Sequence, residues 1–191
     1  MTTENQQPQD PALAAYQAGD FATAFAKWLP LADQGDANAQ FNIALMYHNG
    51  QGTEPDNAKT YEYCRRAAEQ NHPHAQHYLG YLLQDESFGT PDEAAAAQWW
   101  RRAAEQGIDD AQFQLGVLYT EGRGVPQDND EAADWYEAAA LKGHALAQFN
   151  LGVLYANARQ YSHARHWWNK SAEQGNEDAR SALAKLDEMG L

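Results

Sequence analysis

An Ala-Gln pair recurs at Ala39-Gln40, Ala75-Gln76, Ala111-Gln112 and Ala147-Gln148, each 36 residues after the one before. Around it the blocks ANAQFNIALMY, HAQHYLGYLL, DAQFQLGVLY and LAQFNLGVLY align. A second block follows each of them: YEYCRRAAEQN, AQWWRRAAEQG, ADWYEAAALKG and RHWWNKSAEQG. An earlier copy, FAKWLPLADQG, precedes the first. A fixed period of this length marks a supersecondary unit that cannot bury its apolar face alone and stacks on its neighbours. A compact bundle would need no such register. Trp28, Cys64, Trp100, Tyr136 and Trp168 share one position; Gly35, Asn71, Gly107, Gly143 and Gly175 share another. The last interval shortens to 32 because the final repeat lacks the glycine-containing insertion.

Both blocks have helical period. Ala39, Ile43, Ala44 and Tyr47 form one apolar stripe, as do Ala132, Trp135, Tyr136 and Ala139. The spacing predicts helix pairs at 11–18 with 20–34, 37–48 with 56–70, 73–84 with 91–106, 109–120 with 127–142, and 145–156 with 159–174, closed by a helix at 177–189. The glycine or asparagine after each second block suits a left-handed helix end. Pro73 suits a helix start. Pro30 falls inside a predicted helix, which should kink or end early there. Residues 1–10 read as a flexible tail. Residues 11–191 read as a single repeat domain, with repeats at about 11–36, 37–72, 73–108, 109–144 and 145–176 and a capping helix at 177–191.

Gly80, Gly116 and Gly152 sit in mid-helix, where glycine costs about 1 kcal/mol relative to alanine. Close approach of the partner helix would offset that cost, with Trp99/Trp100, Trp135/Tyr136 or Trp167/Trp168 packed over the gap. Ala44 takes the glycine position in the first full repeat, so that pair is expected to sit slightly further apart.

The net charge is −14, from 13 Lys and Arg against 27 Asp and Glu. This argues against a nucleic acid partner and against anionic membrane surfaces. Residues 109–144 carry eight of the acids against Arg123 and Lys142, a field that would steer a basic partner segment; the plainer reading is a solvated face. With one cysteine, Cys64, no intrachain disulfide forms, and Cys64 reads as a buried small apolar residue. The start of the sequence lacks the pattern of a secretory signal and no run spans a bilayer, so a cytoplasmic protein is expected. His74 and His77, and His163 and His166, have chelating spacing, but no carboxylate or cysteine completes either set. No phosphate loop and no nucleophile elbow is present. No catalytic residue, metal or cofactor is expected.

The best copy, residues 111–143, carries Ala111, Leu115, Gly116, Tyr119, Gly122, Gly124, Val125, Asp128, Ala132, Trp135, Tyr136, Ala139 and Gly143. This pattern resembles the Sel-one-like repeat (SLR) family, relatives of the tetratricopeptide repeats, over residues 11–189. Asp85-Glu86-Ser87-Phe88 departs from it where loop glycines are expected. The resemblance implies an all-α fold: an α/α right-handed superhelical solenoid of about five helix-turn-helix repeats plus a C-terminal capping helix. It also implies a non-enzymatic adaptor or scaffold that binds a partner protein or peptide in a concave groove lined by the first helices. The positions that would face this groove include Asn38, Phe41, His74, His77, Tyr81, Asp110, Phe113, Val117, Phe149 and Val153. The phenylalanines either line an open groove or pack between successive first helices; the exposure of Phe113 and Tyr81 separates the two. Alternative functions are an inhibitor or immunity-type protein that blocks an enzyme or toxin, and a small-ligand or glycan binder. The expected assembly is a monomer or weak dimer.

Overall fold

The structure, a computed structural model, describes residues 10–191. The expected tail therefore lies, apart from Asp10, outside the described residues. Among the described residues regular structure is helical, with eleven α-helices, one 3-10 turn and no strand. They divide into two compact units, one ending at Pro91 and the other spanning Asp92–Leu191.

The first unit contains α1 (Pro11–Gln17), α2 (Phe21–Asp33), α3 (Ala37–Asn49), α4 (Asn57–Glu69), α5 (Pro73–Leu82) and a 3-10 turn, Glu86–Phe88. The second contains α6 (Glu93–Glu105), α7 (Asp109–Glu121), α8 (Asn129–Leu141), α9 (Ala145–Asn157), α10 (Tyr161–Glu173) and α11 (Glu177–Glu188). In both, chain neighbours pack as antiparallel helix pairs, α3 on α4, α7 on α8 and α9 on α10. The predicted elements are recovered, with α5 ending two residues earlier than its span and α6, α8 and α10 each beginning two residues later.

The ends of the helices follow from single residues. Asp20, Asp36, Asp56, Asp92 and Asp128 each accept a backbone N–H of the first turn, which supplies one of the donors a helix start leaves open. At the other end Gly35, Asn71, Gly107, Gly143 and Gly175 are all left-handed, with φ between 65° and 105°. The next N–H then bonds back to the last turn, as His144 does to the Ala139 carbonyl at 3.2 Å.

Mid-helix glycines seat aromatic rings. A Cβ on Gly116 would stand 2.5 Å from Tyr136 Cδ1, and one on Gly152 would stand 2.5 Å from Trp168 Cδ1. No side chain fits there. The absent Cβ lets α8 and α10 approach α7 and α9 closely enough to bury Tyr136 and Trp168. The seated ring is the second of each aromatic pair. Trp168 Nε1 also donates to the Phe149 carbonyl at 3.0 Å, so its one polar group is satisfied as the ring is buried. Cys64, at the equivalent ring position, is fully buried and donates weakly to the Ala75 carbonyl at 3.4 Å; burial pushes its thiol pKa up.

The buried glutamines were not singled out by apolar periodicity. Gln40, Gln76, Gln112 and Gln148 each donate Nε2 to a carbonyl of the preceding helix, those of Ala32, Ala68, Ala104 and Ala140, at 3.0–3.2 Å. Gln40 Oε1 then accepts from Gln70 and Gln148 Oε1 from Gln174. Lys142 stands where those repeats carry glutamine; it donates instead to the Gly107 carbonyl at 2.6 Å. Gln112 Oε1 is left buried without a partner.

Two expectations are corrected. Of the kink or early end expected at Pro30, the early end does not occur: α2 runs on to Asp33. Pro30 lies in the last turn, where its ring removes one backbone donor, and the Ala32 carbonyl beyond it is taken by Gln40 and Arg66. Asp10 is not part of a frayed tail. One of its carboxylate oxygens caps α1 through Ala12 N–H, and the other accepts from Trp28 Nε1 at 3.0 Å.

Candidate interaction surface

The residues expected to face a partner fall into one group per unit. In the first unit Phe41 is half-buried, with its ring 5.0 Å from His72 and 6.1 Å from Tyr78. Asn38 and His74 are exposed beside it. His72 Nδ1 accepts from Ala75 N–H and so caps α5, which leaves Nε2 to donate to Asn38 Oδ1 at 3.2 Å. Burial, and then the neighbouring His74, lower the His72 pKa, which keeps the capping nitrogen free of a proton. His77 is half-buried, edge-on to Tyr81, and Tyr81 is 39% exposed.

The second unit repeats the arrangement with one change of charge. Phe113 is half-buried and stacks on His144 at 4.7 Å; His144 Nδ1 caps α9 through Ala147 N–H. Asp110 replaces Asn38 and lies 3.3 Å from His144 Nε2. Phe149 is half-buried near Trp168 and packs on the cluster of Ala164, Trp168, Ala179 and Leu186 that α11 closes. Leu146, one turn before it, is 53% exposed. Phe41 and Phe113 thus pack on the next first helix while keeping a solvent-facing side; Tyr81 and Leu146 are open. Sequence reasoning missed the capping role of His72 and His144. The signal was there: each sits one residue after the left-handed helix end, where Asp36 and Asn176 also cap.

Val117 and Val153 face a shared cleft of about 350 Å3 between α7, α8 and α9. Its walls include Thr120, Glu121, Asn129, Tyr136 and Asn150. The Tyr136 hydroxyl lies 3.3 Å from Thr120 Oγ1 and accepts from Asn150 Nδ2 at 3.2 Å. Desolvation raises the Tyr136 pKa, so the phenol is neutral. A second cleft of about 330 Å3 adjoins it, sharing Asn129, Leu154 and Asn157 and adding Asp130, Ala133 and Tyr155. The acidic residues of this region, Glu121, Asp128, Asp130, Glu131, Asp134 and Glu137, are exposed.

The remaining histidine pair is engaged with aromatic rings: His163 stacks on Tyr155 at 5.1 Å and His166 meets Trp167 edge-on. Among the described residues no helix is long and apolar enough to cross a membrane.

The repeat register, the glycine notches and the left-handed helix ends coincide with a known family pattern. A family model described as the Sel1 repeat matches residues 37–72, 73–108, 109–144 and 145–176. The chain belongs to the Sel1 repeat family. Proteins built of Sel1 repeats generally mediate protein–protein interaction, and the family is typically a non-enzymatic scaffold. No curated protein matches the sequence. Among solved structures, c5321 of uropathogenic Escherichia coli, a protective antigen with an SLR fold, is 34% identical with a TM-score of 0.83. The match covers 87% of this chain but 37% of that one, so the chain spans well under half of that antigen's length. A Sel1 repeat protein from Oxalobacter formigenes is 33% identical with a TM-score of 0.77, over 95% of this chain and 81% of that one. The immunity protein Pa5087 of Pseudomonas aeruginosa is 22% identical with a TM-score of 0.54, over 92% of this chain and 70% of that one, a likeness of fold alone.

Proposed function

We propose that this chain is a protein-interaction adaptor that holds a partner protein or peptide on the first-helix faces of its repeats. The observation that carries this reading is the pair of exposed large side chains on the first helices, Tyr81 beside half-buried His77 in the first unit and Leu146 one turn before half-buried Phe149 in the second. An exposed aromatic or leucine next to a packed ring is the usual anchor of a peptide-binding face.

Tyr81→Ser and Leu146→Ser test it, since both side chains are exposed; Tyr81→Ser also removes the edge contact with His77, so its fold is checked by thermal unfolding. Capture of partners from native lysate by the parent protein, with recombinant confirmation of each, identifies the ligand. Loss of a confirmed partner from one of these variants supports the reading; equal binding by both variants moves the site elsewhere. A second reading, an inhibitor of one basic enzyme or toxin, is favoured by the charge of −14 and the exposed acidic residues of 109–144. A tight one-to-one complex that abolishes the target's activity would distinguish it from an adaptor.

A further inference from the structure

The loops inside the repeats 37–72, 73–108 and 109–144 have a second task besides joining their helices. Gly52, with φ +73°, lies against the start of α2: a Cβ there would stand 2.7 Å from the Phe21 carbonyl carbon. Gly124, with φ +67°, lies the same way against α6, where a Cβ would stand 2.8 Å from Ala94 N. Beside it Arg123 Nε donates to Glu93 Oε1 at 2.7 Å, and Arg123 also pairs with Glu121 at 3.1 Å. The 3-10 turn performs the task without glycine, as Asn57 Nδ2 of α4 donates to the Ser87 carbonyl at 3.1 Å. Each loop thus covers the first turn of the preceding second helix.

The repeat 145–176 has no such loop. Residues 157–160 pass directly from α9 to α10, with Arg159 forced to φ +58°. The space over α8 that a loop would fill is the pair of adjoining clefts described above, of about 350 and 330 Å3. Acceptors ring it. Asp130 is an exposed carboxylate on its walls, Glu121 is another whose Oε2 already accepts from Arg123, and Asn150 has committed its Nδ2 to Tyr136, which leaves its Oδ1 to accept. Val117, Leu151, Val153 and Leu154 supply the apolar part.

We infer that this double cleft takes an extended partner segment carrying an arginine beside a glycine, laid over α8 as Gly122-Arg123-Gly124 is laid over α6. The molecule supplies the template. A small residue is needed where the backbone meets the helix start, and a guanidinium next to it would meet the Asn129 carbonyl oxygen in the place of Glu93, with the Asp130 carboxylate one residue away. The inference rests on the adaptor reading and deepens it by naming the chemistry of the segment.

The probe is a blocked peptide, Gly-Arg-Gly-Val-Pro, copying residues 122–126. Its titration is followed by NMR on the full chain. The expected result is saturable shifts at Asn129, Asp130 and the Asn157 side-chain amide. Replacing the peptide's arginine by citrulline should weaken binding about tenfold, the scale of one charge-assisted hydrogen bond. Grafting the sequence of 121–127 into the 157–160 loop should do the same, because the protein then covers α8 itself. Asp130→Lys, an exposed change that does not depend on the graft folding, should also abolish the shifts. Shifts spread over all acidic faces, equal binding by citrulline peptide or graft, or no saturation at millimolar peptide would overturn the inference. If Leu146→Ser loses a confirmed partner while the graft retains it, the adaptor reading stands and the cleft assignment fails.

Discussion

The repeats 109–144 and 145–176 share a helix pair and differ in what joins it. Both seat an aromatic ring in a glycine notch, Tyr136 over Gly116 and Trp168 over Gly152. Only the first carries the loop that reaches back over its neighbour. The helix pair is therefore the part of the repeat that stability fixes, because a buried ring against backbone leaves no room for change. The loop adjusts the surface: present, it packs on the start of α6 at Glu93 and Ala94; shortened, it leaves a cleft over α8. Folding and binding are separable in this repeat because they depend on different segments of it.

The largest test of that separation is in the notches. Gly116→Leu and Gly152→Leu should each cost about 3 kcal/mol, lowering Tm by roughly 6–12 °C, since neither ring can retreat from its seat. The two values should agree within error in thermal or denaturant unfolding. A large difference would break the claim that the two pairs are equivalent. Next in size, Gly124→Ala should cost about 2 kcal/mol, from left-handed backbone and from contact with the α6 main chain. Arg159→Gly, in the short loop, should instead gain up to about 1 kcal/mol, because the residue there is already left-handed without glycine. Denaturant midpoints moving in the same direction for both would show that the two loops do not differ as described.

Lys142→Gln sharpens the comparison from the other side. The repeat 145–176 has its buried glutamine fully paired, Gln174 donating to Gln148 at 2.8 Å, whereas Gln112 Oε1 has no donor. The substitution restores the missing donor and should stabilise by about 1 kcal/mol in equilibrium unfolding. An unchanged midpoint would mean that the buried carbonyl oxygen is satisfied in solution by another route.

The smallest effect is one of pH. His72 caps α5 as the neutral ring and its pKa is lowered, so the unfolded chain takes up the proton first as pH falls. Stability from this group is complete above about pH 6.5 and declines below it. Asn38→Asp, which copies the Asp110–His144 pairing, should reduce that decline, because a carboxylate favours the protonated ring. Denaturant unfolding at pH 5 and pH 7.5 measures both forms; an identical loss in each would remove His72 as the source.

Much of this was legible because repetition turns one sequence into several aligned copies. The register, the helix spans and the role of Gly116 and Gly152 follow from it: a costly residue kept at one mid-helix position needs a packing reason. Gln40, Gln76, Gln112 and Gln148 were equally repetitive and equally informative, but a polar side chain at a core position does not register in an apolar period. The early end expected at Pro30 did not occur because a rule about helix interiors does not apply in a last turn. Asp10 misled because its partner, Trp28, is brought to it only by folding. Of the candidate surface, packing of the phenylalanines toward the next first helix was one of two readings the sequence left open, whereas their histidine partners, His72 for Phe41 and His144 for Phe113, were not legible: ring stacking across repeats depends on where successive helices lie. The double cleft was legible only as a missing insertion; that the other loops cover helix starts required the structure.

Backbone hydrogen exchange tests the central claim most directly. The start of α6, at Glu93 and Ala94, lies against the Gly122–Gly124 loop, and the start of α8, at Asn129 and Asp130, is the same turn lining an open cleft. Faster exchange in 129–134 than in 93–98, with protection of 129–134 alone on adding a bound partner segment, is the predicted result. Equal protection of both stretches in the free protein would contradict it.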